Sequence, residues 1–303
     1  MTHSEETTPN DAWNIQRLLD WSTNYLKKIG IQWPHLEAEI LIAHILKLKR
    51  IELYLKPGQT VTHEELSTYK ALLLRRKNQE PLAHLTGNFP FMGLDFKVTP
   101  AVLIPRPETE KMVELILAEL QSKQSAEPQR TFCALEIGTG SGCIAVSLAK
   151  FVPGLQITTV EIDQAAHEIA KENSHRHQTH NQVNLVLGDA RRFPAENRFD
   201  YLVSNPPYIP TDEIAKLDQS VKNFEPHHAL DGGIDGLEFI RLIAQHSTSW
   251  LNPGGRIWVE IGHNQAETAE LIFKAAGLEK IKTLLDQNDI PRFLTASRIQ
   301  NEK

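Results

Sequence analysis

Cysteine is nearly absent from this chain: Cys133 and Cys143 are the only two in 303 residues. Two thiols in separate apolar segments build no disulfide framework, and both read as reduced, buried side chains of a cytosolic protein. No apolar run approaches the roughly 18 residues of a membrane-spanning helix, which excludes a helical membrane protein. The stretch Met1 to Asn10 is polar and acidic, without the apolar segment of a secretory signal, and a cytoplasmic location is the expectation. Positive charge is not in excess either: 32 Lys and Arg against 38 Asp and Glu leave a net charge of −6. That balance disfavours a wide nucleic-acid footprint, and no stable nucleic-acid binding is expected. With 41% apolar residues, the chain can bury a sizeable core as one large domain or two.

The first part of the chain is helical in pattern. Trp13, Ile15, Leu18, Leu19, Tyr25 and Leu26 recur at helical spacing up to Gly30, and a second helix is predicted from Pro34 to Leu48. Its apolar positions cover more than one face, which places it at the centre of a small bundle. Thr62 and Glu65 have capping-box spacing for a third helix through Leu74, closed by Arg75, Arg76 and Lys77 as a solvated basic end. Phe89, Phe91, Leu94, Phe96 and Val98, broken by Met92-Gly93, then read as a β-hairpin. Pro107 opens a further helix whose first turn holds Glu108 and Glu110, while Gln121 to Arg130 reads as a polar loop. From Phe132 onward strand and helix alternate to Ser297. The last two strands have no helix between them and should pair antiparallel. The expected fold class is therefore α/β, a doubly wound, mostly parallel sheet with an antiparallel last strand. The expected boundaries are a helical domain over 1–84, a hairpin linker over 85–105 and the α/β domain over 106–303.

Two stretches carry chemistry. Glu136-Ile137-Gly138-Thr139-Gly140-Ser141-Gly142 joins the first strand to its helix, and its glycines let a ligand approach the backbone closely. Such a turn suits NAD, FAD or S-adenosylmethionine alike, although Cys143 stands where a dinucleotide fingerprint wants its third glycine. Glu161 ends the second strand about 20 residues on, placed for ribose hydroxyls, and Asp163 reads as the cap of the next helix. Gly188-Asp189-Ala190 ends the third strand, where Asp189 can accept from an exocyclic amine. The second stretch is Asn205-Pro206-Pro207-Tyr208, after the buried strand Phe199 to Ser204. Two prolines forbid continuation of strand or helix. The Asn205 amide oxygen and the Pro206 carbonyl can each accept one hydrogen bond from a planar NH2 group, with Tyr208 flat against it. A rigid turn without chemistry explains the pattern equally well.

Together, Gly-Thr-Gly-Ser-Gly, the acidic strand end, Asn-Pro-Pro-Tyr and the closing antiparallel strand resemble a class I S-adenosylmethionine-dependent methyltransferase. Ile104-Pro-Arg-Pro-Glu-Thr-Glu110, the stretch from Glu225 to Leu237 (Glu-Pro-His-His-Ala-Leu-Asp-Gly-Gly-Ile-Asp-Gly-Leu) and the helical first domain narrow the resemblance to the release factor glutamine methyltransferase family. That resemblance implies N5-methylation of the glutamine in the Gly-Gly-Gln loop of class 1 peptide chain release factors. It implies substrate recognition by the first domain, and cofactor binding by Gly138, Thr139, Gly140, Ser141, Gly142, Glu161, Asp189, Ala190 and Asn205. Asn205, Pro206, Pro207 and Tyr208 would bind the glutamine, with Asn205, Pro206 and Tyr208 as the catalytic set. Glu161 stands where the family usually has Asp, and Ala190 where some relatives have an aromatic beside the adenine. Two alternatives remain from the sequence: a glutamine of a ribosomal protein, or an adenine of a nucleic acid. No metal is expected, because nothing completes a ligand set around His175, His177 and His180. His227 and His228 have no evident catalytic partner, and Asp231 to Gly236 reads as turn and cap chemistry.

Overall fold

Asn14 and Thr62 each open a helix by accepting a backbone N–H, from Arg17 and Glu65 respectively, and the Glu65 carboxylate in turn accepts from the Thr62 N–H. The computed structural model describes residues 12–194 and 198–300, so the polar amino-terminal stretch lies outside the described residues. The chain divides into two compact units, Met1–Thr86 and Gly87–Lys303.

The first unit holds helices α1 (Ile15–Lys28), α2 (Pro34–Leu46), α3 (Arg50–Leu55), α4 (His63–Lys77) and α5 (Leu82–Thr86). Helix α2 packs against the other four, as its two-faced apolar pattern required, and Leu41 and Ile42 are fully buried with Leu26. The short helices α3 and α5 are too brief to show a period and were not expected. The basic end of α4 is not simply solvated. Arg76 reaches Glu37 on α2 at 2.6 Å, with both side chains 14% exposed, and Arg75 pairs with Glu80.

The second unit begins with the hairpin β1 (Asn88–Phe91) and β2 (Leu94–Lys97), turned through Met92 and Gly93, both at positive φ. Helix α6 follows (Pro107–Ala126), then β3 (Cys133–Ile137), α7 (Cys143–Phe151), β4 (Gln156–Glu161), α8 (Gln164–Arg176), β5 (Val183–Leu187) and β6 (Phe199–Ser204). A short helix α9 (Gln219–Lys222) precedes α10 (Glu238–Trp250), β7 (Leu251–Glu260), α11 (Ala266–Ala275), β8 (Glu279–Leu285) and β9 (Pro291–Ser297). Helix α6 runs through part of the expected 121–130 loop. Those residues are polar because they are exposed, and Gln124 is tied to the Pro153 carbonyl. Cys143 is buried, but Cys133 is only half-buried; both are free thiols.

The sheet order is β5-β4-β3-β6-β7-β9-β8; the first five strands are parallel, and β9 runs antiparallel to both its neighbours. Successive side chains alternate between two cores: Tyr201, Val203 and Trp258 face α6 and α7, whereas Leu202, Ile257 and Val259 face α10 and α11. The chain leaves β3 toward β4 and β5, then crosses back to place β6 on the other side. Ligand crevices of open α/β sheets form at that reversal, beyond the carboxyl ends of the strands.

Thr62→Ala removes one reciprocal cap of α4 and should cost about 1 kcal/mol in urea unfolding, whereas Thr62→Ser should retain most of it.

Candidate active site

A cleft with about 960 Å³ of empty space, counted out through its open mouth, lies at the reversal between β3 and β6. The Gly138–Gly142 turn forms its floor. Gly138, Gly140 and Gly142 all have positive φ, which the alternating turn requires, and Asp163 caps α8 through the Ala166 N–H, as its sequence position suggested. The Glu161 carboxylate accepts from the Gly140 N–H at 2.8 Å and from the Asp163 N–H at 2.9 Å. It therefore joins the glycine turn to the end of β4. Behind the turn, the buried Asn173 side chain donates to the carbonyls of Ser141 and Lys97 and accepts from the Lys97 N–H, stitching the hairpin to this floor.

Gly138, Thr139, Gly140, Ser141, Glu161, Asp189, Ala190, Asn205 and Pro207 all line the cleft. Gly142, Pro206 and Tyr208 do not. Gly142 instead caps α7 where a Cβ would press on Ala170, Pro206 is buried, and the Tyr208 hydroxyl faces Glu260. Asp189 accepts from the Arg191 N–H at 2.9 Å, so one of its oxygens is already engaged as a cap. Phe239 of α10 also lines the cleft, with the Arg191 guanidinium over its ring. It brings an aromatic face to the wall that holds Ala190, from a residue the sequence reading did not single out.

Two further side chains were missed. Asn205 Nδ2 donates to Thr109 Oγ1 at 2.9 Å, and Thr109 Oγ1 donates to Glu260 Oε2 at 2.7 Å. The Tyr208 hydroxyl points to the other Glu260 oxygen at 3.4 Å. Thr109 lay between two acids that drew attention as helix-end charges. Glu260 had a readable signal: Glu-Ile-Gly closes both β3 and β7, at the ligand end of the sheet. Among the described residues, neither Asn205 Oδ1 nor the Pro206 carbonyl accepts a hydrogen bond.

The stretch from Glu225 to Leu237 holds the Asn-Pro-Pro-Tyr segment from outside. Ile209 donates to the Leu230 carbonyl and accepts from the Gly232 N–H, and Gln265 donates to the carbonyls of Tyr208 and Gly236. At Gly236 a Cβ would run into the Tyr208 carbonyl, so glycine is required for this approach. Asp231 and Asp235 perform the expected turn and cap chemistry, accepting from Gly233 and Leu237. Glu225 accepts from the Ile104 N–H at 3.1 Å and from Arg106 at 2.6 Å, which joins the Pro-Arg-Pro segment to the same loop.

Electrostatics separate these groups. Burial pushes the Glu136 carboxyl well above its ordinary range, and the nearby Glu161 charge adds to that. Burial raises Glu260 to about 7, while the Thr109 hydrogen bond and Arg292 hold it down. Burial also lifts the Tyr208 phenol, so it remains a neutral donor, and pushes the Cys143 thiol up to about 12.

Comparison with known proteins supplies independent findings. Residues 17–87 match the PrmC N-terminal domain family, and residues 108–224 match the methyltransferase small domain family. A release factor glutamine methyltransferase of Geobacter sulfurreducens is 41% identical, over 94% of this chain and 97% of the relative. One from Rhodopirellula baltica is 35% identical over 97% and 99%. Among solved structures, the hMettl16 catalytic domain in complex with an RNA hairpin shares the fold, with a TM-score of 0.53 at 16% identity over 81% of this chain and 86% of that one.

Arg106→Met strips the 1%-exposed Glu225 carboxylate of its cation and should cost about 3 kcal/mol in urea unfolding. Glu225→Gln should cost less, because Arg106 is 30% exposed and is hydrated when its partner is lost.

Proposed function

The chain belongs to the release factor glutamine methyltransferase family, and from that premise we propose how its cleft divides the work. The enzyme is an S-adenosylmethionine-dependent protein-glutamine methyltransferase. The acceptor we assign is the side-chain amide nitrogen, N5, of the glutamine in the Gly-Gly-Gln motif of class 1 release factors.

The residues present fit the cofactor. A Cβ at Gly138 or Gly140 would meet no protein atom within 4 Å, so the turn leaves room for a ligand against its backbone. Glu161 brings a carboxylate to the same floor for ribose hydroxyls, and Ile162, Ala190 and Phe239 bring apolar surface for a purine. Gly138 to Ser141, Glu161, Asp189 and Ala190 would hold it, with Gly142 shaping the turn. When bound, it supplies an activated methyl group.

The protein's own task is to present a poor nucleophile correctly. A glutamine nitrogen is weak because its lone pair is delocalised into the carbonyl. Asn205 Oδ1 and the Pro206 carbonyl accept its two N–H groups, which fixes the plane of the amide and aims the nitrogen. These acceptors strengthen as positive charge grows on the nitrogen, so they favour the transition state over the ground state. Pro206 and Pro207 remove backbone freedom, and Tyr208 closes the segment from beneath. The observation that carries this reading is Asn205 Oδ1, an unengaged acceptor lining the cleft with the glycine turn, followed in the chain by the unengaged Pro206 carbonyl. Action in the cytoplasm, without stable nucleic-acid binding, belongs to the same proposal.

Incubation with methyl-labelled S-adenosylmethionine and a release factor should place label on the Gly-Gly-Gln peptide. An unlabelled peptide, with label found on another protein, would overturn the substrate assignment. Asn205→Ala should lower transfer by about a hundred-fold or more while changing cofactor affinity only a few-fold, measured by calorimetry. Unchanged turnover in that variant would remove the amide-holding role.

A further inference from the structure

An asparagine amide is nearly symmetric in shape, and rotating it by half a turn exchanges an acceptor for two donors. Turned the wrong way, Asn205 would face an incoming NH2 group with an NH2 of its own. Nothing in the residue selects between the two orientations, so its neighbours must. We propose that Thr109 and Glu260 are positioning residues, in which the carboxylate, through the Thr109 hydroxyl, locks the Asn205 amide with Nδ2 inward and Oδ1 toward the substrate amide. This rests on reading Asn205 to Tyr208 as the glutamine pocket.

The argument is one of hydrogen-bond polarity. An ionised carboxylate only accepts, so Thr109 must give its single hydroxyl proton to Glu260 Oε2, at 2.7 Å. The Thr109 oxygen is then left only to accept, and the group that faces it at 2.9 Å must be a donor, Asn205 Nδ2. Direction therefore passes from a charge on β7, through the third residue of α6, to the segment after β6. Strand register brings the two ends together: Ser204 pairs with Val259, so Asn205 and Glu260 are the next residues on adjacent parallel strands. Thr109 is 2% and Glu260 1% exposed, which keeps water from supplying a competing donor. The same carboxylate also faces the Tyr208 hydroxyl, so one group touches both ends of the motif.

The lock depends on the proton at Glu260. The groups facing it are Thr109 and Glu108 on α6, Cys143 on α7, Arg292 on β9 and Tyr208 after β6. Burial raises its carboxyl to about 7. Above that pH the carboxylate is an acceptor only, and the orientation is enforced. Below it the carboxylic acid can donate to Thr109, whose own proton is then free to point at Asn205, and either amide orientation is satisfied. Turnover should therefore have an acid limb that belongs to Glu260 rather than to the substrate.

The test uses the full-length enzyme, methyl-labelled S-adenosylmethionine and a release factor. Thr109→Val and Glu260→Gln keep side-chain volume but remove the enforced polarity; with both orientations equally satisfied the productive one is half populated, so each should lower kcat by about two-fold with cofactor affinity within two- to three-fold of wild type. Thr109→Ser should retain most of kcat. The acid limb should be present in the wild type and absent in Glu260→Gln. Nitrogen-15 NMR gives a readout independent of activity. The side-chain NH2 signals of Asn205, assigned by their loss in Asn205→Ala, should shift in the wild-type enzyme with a midpoint near the Glu260 value. That titration tests the proposal even where a variant fails to fold. Normal kcat in Thr109→Val, or an Asn205 signal that does not titrate between pH 5 and 9, would overturn the lock. If Asn205→Ala abolishes transfer while Thr109→Val leaves kcat at the wild-type value, the lock alone fails; if Asn205→Ala is active, the underlying pocket assignment fails.

Discussion

Pro206 and Pro207 donate no backbone hydrogen bond, so the chain beyond β6 cannot secure itself by the ladder that holds the rest of the sheet. Its neighbours secure it instead. The Glu225 to Leu237 loop runs alongside at backbone contact distance, Gln265 takes the Tyr208 carbonyl, and Thr109 takes the Asn205 amide. Glu225 in turn ties that loop to Arg106, at the entrance of the helix that carries Thr109. The two stretches flanking the pocket in sequence space are therefore the walls that brace it. A rigid segment with unspent acceptors results, and rigidity is what an acceptor needs if it is to act on the transition state without reorganising.

Three parallel strands carry glutamate at or next to their carboxyl ends, and their surroundings give the three carboxyls separate work. Glu161 has two backbone N–H partners and faces the cleft. Glu136 is 1% exposed, and neither of its oxygens has a hydrogen-bond partner among the described residues, so its proton is retained far above the ordinary range. Glu260 lies between them, buried yet held by a hydroxyl and near a cation. One residue type near the same end of three strands thus gives a hydrogen-bonded acceptor in the cleft, a buried carboxyl that keeps its proton and a third raised to about 7.

Much of this architecture was legible. Helix and strand periods, capping pairs and the glycine and proline breaks located nearly every element of the α/β unit, because each of those signals is local. The glycine turn, Glu161 and Asn205 were legible for the same reason: their chemistry is written in consecutive residues. Thr109 was not, since its meaning comes from a hydroxyl on one helix meeting a carboxylate 151 positions later, and Glu260 was signalled only by its repeat of the Glu-Ile-Gly strand end. Phe239 was hidden similarly, as an ordinary apolar residue near a helix start until the fold set it beside Ala190. The basic end of α4 was misread because Glu37, its partner, sits 39 positions away. Local pattern predicts what a segment is; only packing decides whom it meets.

The buried Asn173 deserves one last consequence. Its single amide group spans the backbone of Lys97 on one side and the Ser141 carbonyl on the other. A hairpin strand is otherwise free to flex about its turn, but here its far end is pinned to the floor on which the ligand rests. Mechanically the two behave as parts of one hinge plate: a tug on β2 reaches the glycine turn through one side chain, without passing through the sheet. Exchange of the Lys97 amide proton with solvent should thus follow the state of the cleft and not that of the hairpin turn.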